Sequence, residues 1–483
     1  MLLPGAIVAS RYVPRQAGSA HDLLHRVVRE HLSTLVADAE ARDRPLPAYV
    51  VQELEGYLGC GRPEAGFTWY RCPQCEHSLV LPFSCKGRAF CPSCGGRRMN
   101  QLAANLVDHV LPHVPVRQWV LTFPMPVRFW LAWRPKLRRE VLSAVLRVVF
   151  DHYRQTLGEP GGQGGSVSIW QMAGSSVNLN PHIHALVLDG VYVWDELHGQ
   201  PVFRCASRPG RQAMARLVGR MRREVLAVLD RHGLLDDPVE PEDETVQLEL
   251  VEAALTQRVA TGERRGRRIG RHRGAEPREP QASPRRCHAW QEYFDLHAGI
   301  RIAASDRKGL ERLARYIARP PISQKRLSEL PDGRVALALK RPWDDGTTHF
   351  VFRPLELLER LAALVPPPRH NLVVYHGVLA PRHRWRSQVV PPREGEPAEG
   401  TAAEPARRPR RSGWIPWSVL IFRTFGVDPL RCHWCQTTMG VRAIVRSWET
   451  SRKLLAVLGR PWQPDQLVPR PALVPWEEEA AFW

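Results

Sequence analysis

The stretch "NPHIHALVLDG" (180–190) places His182 and His184 one residue apart inside an apolar run. Side chains of an extended chain alternate faces with a period of two, so both imidazoles point one way and Ile183 points the other. Two imidazoles on one face can hold one metal ion, and such a site needs a third ligand. Gln171, in the preceding run "SVSIWQM" (166–172), is the best candidate if that run pairs antiparallel with the histidine strand. Two imidazoles and one oxygen leave positions for substrate oxygens. That suits Mg2+ or Mn2+ beside a phosphate, with imidazole tilting the choice towards Mn2+ or Zn2+. A candidate nucleophile is Tyr316 in "LERLARYIARPP", where Arg315 and Arg319 are adjacent or one turn away and can approach a phosphate. A free phenol ionises near pH ~10, and nearby cations with a metal-held phosphate favour the attacking phenolate. Taken singly, these residues have plainer roles, as hydrogen-bonded strand histidines and a tyrosine packed at a helix rim.

The ten cysteines sit largely in Cys-x2-Cys pairs. Cys72 and Cys75, then Cys91 and Cys94, form two knuckles with the spacing of a four-thiolate zinc site. A closed four-cysteine site is a folding staple, so the expected Zn2+ is structural. Cys60 and Cys85 can replace one ligand or serve a second site with His77. Arg88, Arg97 and Arg98 surround the second knuckle and make a basic surface of the kind that contacts nucleic acid. A lone pair, Cys432 and Cys435, lies near the C-terminus and needs partners such as His433 or ligands from elsewhere to bind metal.

These residues need elements to position them. Residues 20–60 space Leu and Val at three- and four-residue intervals and predict helix, as do 134–158, 210–233 and 305–321, the last beginning with a Ser/Asp cap and ending at Pro320. Residues 117–124, 166–172 and 182–194 predict strands. That order implies an α+β architecture, an antiparallel sheet with helices on one face. The stretch 258–286 is dense in Arg, Gly and Pro and reads as a loosely ordered insertion or a solvated loop. The expected division is a helical four-cysteine domain (1–105), a catalytic domain (106–385, with a basic insertion around 257–287), a disordered linker (386–413) and a small C-terminal Cys-x2-Cys module (414–483).

Net charge is +19, with arginine far in excess of lysine. GC-rich coding explains arginine over lysine but not base over acid, so a polyanionic partner is expected, DNA first. The sequence has no run of about 18 apolar residues and no basic segment ahead of its short N-terminal apolar run. Membrane attachment and secretion are therefore not expected, and a reducing cytoplasm close to the nucleoid is.

Together, "NLNPHIHALVLDGVYV", "GLERLARYIARPP" and "RCPQCEHSLVLPFSCKGRAFCPSCGGRRM" resemble the rolling-circle insertion-sequence transposases of the HUH (His-hydrophobic-His) superfamily, which carry an N-terminal zinc-binding domain. The resemblance covers roughly residues 20 to 380, and more weakly the C-terminal Cys-x2-Cys segment. It implies a ferredoxin-like antiparallel sheet. It also implies that His182 and His184 bind a divalent metal polarising a scissile phosphate in single-stranded DNA, while Tyr316 attacks to form a 5′-phosphotyrosine link and release a 3′-OH. Some relatives carry a second tyrosine four residues earlier. Arg312 stands there in this sequence, which resembles the one-tyrosine, common-region branch. The competing readings are a metal-dependent nuclease with no covalent intermediate and a non-catalytic, zinc-containing DNA-binding protein.

Overall fold

The computed structural model describes residues 23–235, 246–276, 287–391, 415–425 and 427–459. The predicted linker falls almost wholly outside these residues. The chain opens with α1 (Leu23–Glu40) and α2 (Ala48–Leu58), then a hairpin of β1 (Phe67–Arg71) and β2 (Ser78–Pro82). Helix α3 (Pro92–His109) starts with Cys91 at its N-cap and a proline at its first position, where the missing N–H has no intrahelical partner to lose.

The centre of the molecule is an antiparallel sheet. Its strands are β3 (Val116–Thr122), β4 (Gly165–Ala173) and β5 (Leu179–Leu188), with β9 (His288–Gln291), β10 (Phe294–His297), β11 (Arg301–Ile302) and β15 (Val373–Gly377). Their spatial order is β15-β4-β5-β3-β10-β9, with β11 also beside β3. Between β3 and β4 run α4 (Met125–Trp133) and α5 (Pro135–Leu157). The latter stops at Gly158, whose φ of 66° is the left-handed C-cap that glycine adopts at least cost. The predicted strand over 182–194 breaks at Asp189. Its second half, β6 (Gly190–Asp195), leaves the sheet to pair with β7 (Gln200–Cys205). Gly190 is required there, since a Cβ would lie 2.0 Å from the carbonyl oxygen of Arg204.

Helices cover both faces of this sheet, where one face was expected. Trp119, Leu121, Ile183, Ala185 and Val187 pack with α5 and α6 (Arg211–Arg231). Val116, Val167, Ile169, Leu186 and Leu188 pack on the other side with α3 and α8 (Arg307–Ile317). Both faces are apolar because β5 is nearly continuous in Val, Ile, Leu and Ala below the histidines, a pattern that marks two-sided burial. Helix α8 is capped as predicted, Asp306 Oδ1 accepting from Gly309 N at 2.7 Å. It buries Leu310, Leu313, Ala314 and Ile317, and each fully buried Leu or Ile contributes about 1.5–3 kcal/mol.

A second core joins α1 and α2 to α7 (Val246–Thr256), α9 (Pro354–Ala363) and a small sheet of β8 (Gly270–Arg273), β12 (Leu327–Glu329), β13 (Val335–Ala338) and β14 (Thr347–Phe352). The helices before residue 60 thus share a core with residues 250–365, and the expected division near residue 105 does not separate cores. The predicted loose insertion is folded as far as residue 276. Val259, Ala260 and Ile269 are buried, and Glu359 accepts from the N–H groups of Ala260 and Thr261, both at 2.9 Å. Residues 277–286 lie outside the described part. After α10 (Arg386–Val389), the C-terminal segment supplies α11 (Trp417–Phe425), β16 (Gly440–Val445) and α12 (Trp448–Val457). It is not a separate module, because β16 pairs with β1 as the third strand of the N-terminal hairpin sheet.

Two contacts give tests of this packing. Asp189 is fully buried, accepts Arg117 Nε at 2.7 Å and Nη2 at 2.9 Å, and also receives Arg301 Nε at 2.7 Å and Tyr153 Oη at 3.0 Å. Asp189→Ala leaves the Arg117 guanidinium buried without its counter-charge and is expected to cost about 3–5 kcal/mol in denaturant unfolding. A loss below about 1 kcal/mol, the value of a surface pair, would contradict this. On α3, a Cβ at Gly95 would meet Pro320 Cβ at 2.7 Å, whereas one at Gly96 meets nothing within 4 Å. Gly95→Ala should therefore destabilise by about 1–3 kcal/mol, and Gly96→Ala should stabilise by about 0.5–1 kcal/mol through helix propensity. Equal melting shifts for the two variants would contradict the close α3–Pro320 approach.

Candidate active site on the histidine face

Strand β5 lies between β4 and β3, with Gln171 opposite His182 on one side and Thr122 opposite it on the other. His182 and His184 share the face that carries Leu186 and Leu188 lower down. Their ring centroids are 4.9 Å apart. His184 is 6% exposed, and His182 is half-buried. Burial is the main cause that pushes His182 down to about 4 and His184 well below its ordinary value, with Arg319 adding to both and Arg128 to His182. Both rings are therefore neutral at neutral pH and offer lone pairs.

Each ring has a defined partner at Nδ1. His182 Nδ1 donates to the carbonyl of Asn180 at 2.6 Å, which leaves Nε2 as its lone-pair nitrogen. His184 Nδ1 lies 2.8 Å from Gln118 Nε2, and Gln118 Oε1 is buried with no hydrogen-bond partner. Turning that amide end for end presents Oε1 to an Nδ1–H and frees Nε2 of His184 for a ligand, the arrangement common among metal-binding histidines. Gln171 Nε2 donates to the carbonyl of Ile317 at 2.6 Å. Its Oε1 remains the atom able to ligate. The donor set of two imidazoles and one amide oxygen fits a divalent ion of the Mn2+ or Zn2+ kind better than Mg2+.

Helix α8 crosses this face. The Tyr316 ring stands nearly perpendicular to that of His184, 80° between planes and 6.4 Å between centroids. The Gln171–Ile317 hydrogen bond pins the residue after Tyr316 to β4. Arg319 lies over the Tyr316 ring, Cζ 4.3 Å from its centroid. Arg315 instead turns to Glu311 at 2.6 Å and is largely neutralised. Among the basic residues near the second knuckle, Arg98 donates to the carbonyls of Lys86 (3.0 Å) and Gly87 (2.9 Å), and Arg88 donates to that of His370. Both brace loops. Arg97 is exposed. Gln118, Arg128 and Asn180 were not singled out in the sequence. The signal for Gln118 was present: it falls on the histidine face by strand alternation, two residues before the position opposite His184.

The cysteines do not group as their spacing suggested. Cys72 and Cys75 stand apart from Cys91 and Cys94, because the β1–β2 hairpin carries its knuckle away from the start of α3. Instead Cys60, Cys85, Cys91 and Cys94 form one tetrad, and Cys72, Cys75, Cys432 and Cys435 form another, the four sulfurs of each within 4.8 Å of one another. In the first, Cys60 is 3.6 Å from Cys91 and 3.7 Å from Cys94, and Cys85 is 3.5 Å from Cys94. Sulfurs at ~2.3 Å from a tetrahedral Zn2+ are ~3.8 Å apart, so this donor set fits structural zinc. Hydrogen bonding to Cys60 is the first cause that holds the Cys85 and Cys91 thiols well above their ordinary value. The four ionise together only with a cation among them. His77 and His433, considered as substitute ligands, pack on each other edge to face at 4.5 Å. An open, arginine-lined cavity of about 390 Å³, bounded by Arg117, Ala206, Arg208, Gly299 and Arg301, lies at the opposite end of β3 from the histidines. No described helix is long and apolar enough to cross a membrane.

Residues 165–387 match a family model described as "Putative transposase", and residues 27–123 match one described as "Transposase zinc-binding domain". A stretch of 156 residues is 29% identical to a transposase for insertion sequence element IS801 from Pseudomonas savastanoi pv. phaseolicola, covering 30% of this chain and 36% of that protein. The chain thus spans about a third of that relative's length. No solved structure matches it. With its zinc-binding and transposase segments in this order, the chain is similar to insertion-sequence transposases that carry an N-terminal zinc-binding domain.

Proposed function

We propose that this protein is a DNA transposase that nicks and rejoins single-stranded DNA at the ends of a mobile element, with Tyr316 as nucleophile on an HUH-type site. The observation that carries the reading is the approach of the Tyr316 ring to a pair of histidines kept neutral by burial. His182 and His184 would hold a divalent ion, with Gln171 Oε1 as third protein donor. When bound, that ion supplies positive charge beside the scissile phosphate. Tyr316 Oη attacks phosphorus and gives its proton to solvent. The bond from phosphorus to the 3′ oxygen breaks, and that oxygen takes up a proton to become a 3′-OH. The 5′ phosphate stays esterified to Tyr316, so the number of phosphoester bonds is unchanged and no ATP is consumed. The sequence accordingly has no GxxxxGK[ST] motif. Attack on the phosphotyrosine by another 3′-OH reverses the step and joins strands. Arg319, fixed over the ring, places a positive charge where the incoming phosphate would approach. Arg312 is exposed one turn before Tyr316, so each chain brings one tyrosine to this face of α8.

The test is a labelled set of single-stranded oligonucleotides drawn from the element ends, incubated with protein and Mn2+ or Mg2+ and resolved in SDS. Wild type is expected to give a denaturant-resistant adduct that Tyr316→Phe and His182→Ala/His184→Ala abolish. Cleavage that survives Tyr316→Phe without an adduct would assign the attack to water, and binding without cleavage would leave a DNA-binding role. The Gln118–His184 contact gives a separate expectation for the metal. Gln118→Leu removes the partner of His184 Nδ1 and should weaken Mn2+ binding ten- to a hundredfold by calorimetry, while Gln118→Glu, which can accept from Nδ1–H, should retain it. Unchanged affinity in Gln118→Leu would remove Gln118 from the site.

A further inference from the structure

The transposase zinc-binding match ends at residue 123, yet two of the eight clustered thiols lie more than 300 residues beyond it. Cys72 Sγ is 3.3 Å from Cys435 Sγ, Cys75 Sγ is 3.4 Å from Cys432 Sγ, and Cys75 and Cys435 are 3.6 Å apart. The two knuckles are built alike. In the first, Cys72 N donates to His77 O at 2.8 Å and Glu76 N to Cys72 O at 3.1 Å; in the second, Cys432 N donates to Thr437 O and Gln436 N to Cys432 O, both at 2.9 Å. Each turn closes through one left-handed residue, Glu76 at φ 58° and Gln436 at φ 59°. Each is bracketed by a strand pair, Arg71 with Ser78 and Arg431 with Thr438. Two matching knuckles facing one another make a zinc ribbon, here assembled from the two ends of the chain.

The surroundings extend this clamp. Strand β16 pairs with β1 from Phe67–Val445 to Arg71–Gly440, and Phe67, Val80, Val445 and Leu455 form a small core under it. Gly66, at φ 122°, lets the Val445 carbonyl approach to where a Cβ would stand, at 2.9 Å. Thr437 Oγ1 donates to Gln74 Oε1 at 2.5 Å across the knuckles. Upstream in the same segment, Arg423 on α11 bridges two helices. It reaches Asp108 on α3 through Nη1 and, at 3.1 Å, Nη2, and Glu311 on α8 through Nε at 3.2 Å and Nη2 at 2.7 Å. Against the burial that would raise it, hydrogen bonds and ion pairs from Arg423 and Arg315 hold the Glu311 carboxyl below its ordinary value. Glu311 also holds Arg315, the neighbour of Tyr316.

We infer that Cys72, Cys75, Cys432 and Cys435 bind a second structural zinc ion that closes the chain on itself, and that the C-terminal segment held this way braces the tyrosine helix through Arg423. The thiols lose their protons on binding, so each ion displaces four protons and no redox partner is needed. The clamp fastens the segment at one end, and the Arg423 ion pairs fasten it against α3 and α8 at the other.

The test uses the full-length protein and does not depend on DNA cleavage. Metal analysis of protein carrying His182→Ala/His184→Ala, so that the histidine face takes up no zinc, should give two zinc ions per chain, and adding Cys432→Ser/Cys435→Ser should give one. Hydrogen exchange in that variant should rise severalfold at 67–71, 440–445 and 307–317. Arg423→Ala, added to the same histidine variant, should raise exchange at 307–317 while keeping two zinc ions. If the cysteine variant does not fold, Co2+-exchanged wild type still decides the count, because thiolate-to-cobalt absorption should correspond to eight thiolates per chain. One zinc ion in the histidine variant, or absorption for four thiolates, overturns the second site. A count that falls from two to one with exchange at 307–317 unchanged in both variants overturns the brace.

Discussion

The alternation of β5 is the constraint on which the rest of the structure depends. Positions 182, 184, 186 and 188 share one face. The lower two are leucines that must be covered, and the upper two are histidines that the proposed function needs open to a ligand. One layer of helices has to do both. Helix α8 manages this by polarity along its length, burying Leu310, Leu313 and Ala314 over the leucine end and placing Tyr316 at the histidine end. A sheet with this face bare would expose the apolar half; one covered along its whole length would shut out substrate. The half-buried state of His182 beside the nearly buried His184 is what such a compromise produces.

Much of this was legible in the sequence, for identifiable reasons. The histidine pair, the Gln171 register and the capped tyrosine helix follow from period two, antiparallel pairing and an Asp cap, all local rules. The second helical layer was not legible, because a continuous apolar run such as Ala185–Leu188 says that both faces are covered without saying by what. The basic stretch after Arg258 misled for the opposite reason. Its arginines are conspicuous, but its few apolar residues and the buried carboxylate of Glu359, which is distant in sequence, decide that it folds. The cysteine pairing failed because every Cys-x2-Cys knuckle looks the same. Nearness in sequence favoured joining Cys75 to Cys91; the hairpin between them turns the two knuckles in different directions.

Net charge also reads differently once the side chains are placed. A charge of +19 suggests a wide basic surface. Many of the arginines are instead internal fasteners: Arg117 on Asp189, Arg307 on the carbonyls of Leu111 and Pro112, Arg360 on the carbonyls of Ala253 and Arg258. Arginine suits this work because its planar fork can satisfy two acceptors while staying charged. The cations that matter at the histidine face are few, Arg319 over the tyrosine and Arg128 close enough to His182 to oppose its protonation. On the proposed function, attraction to a polyanion and positioning of a phosphate would thus be separate properties of this chain, the first set by overall charge and the second confined to a few side chains.

Helix α3 ties these parts together. Its first turn carries Cys91 at the cap and Cys94, two ligands of the first tetrad, and its next residue, Gly95, lies against Pro320 just beyond the tyrosine helix. Farther along, Ala103, Leu106 and Val107 share the core with Leu310, Leu313 and Ile317. A metal tetrad at one end of a rigid helix therefore fixes the height and tilt of the neighbouring helix, and with it the placement of Tyr316 above the histidines. Hydrophobic packing alone would set the α3–α8 distance but tolerate sliding along the axis, since leucine and alanine contacts change little over a fraction of a turn. With zinc bound, two directional metal–sulfur bonds at the start of α3, anchored through Cys60 and Cys85, and a proline wedged against Gly95 would remove that freedom. This gives a structural zinc site a reason to stand beside the candidate catalytic face: chemistry on a phosphate tolerates a displacement of about 1 Å poorly, and α3 would gain from a metal-filled tetrad the axial rigidity that apolar packing does not supply.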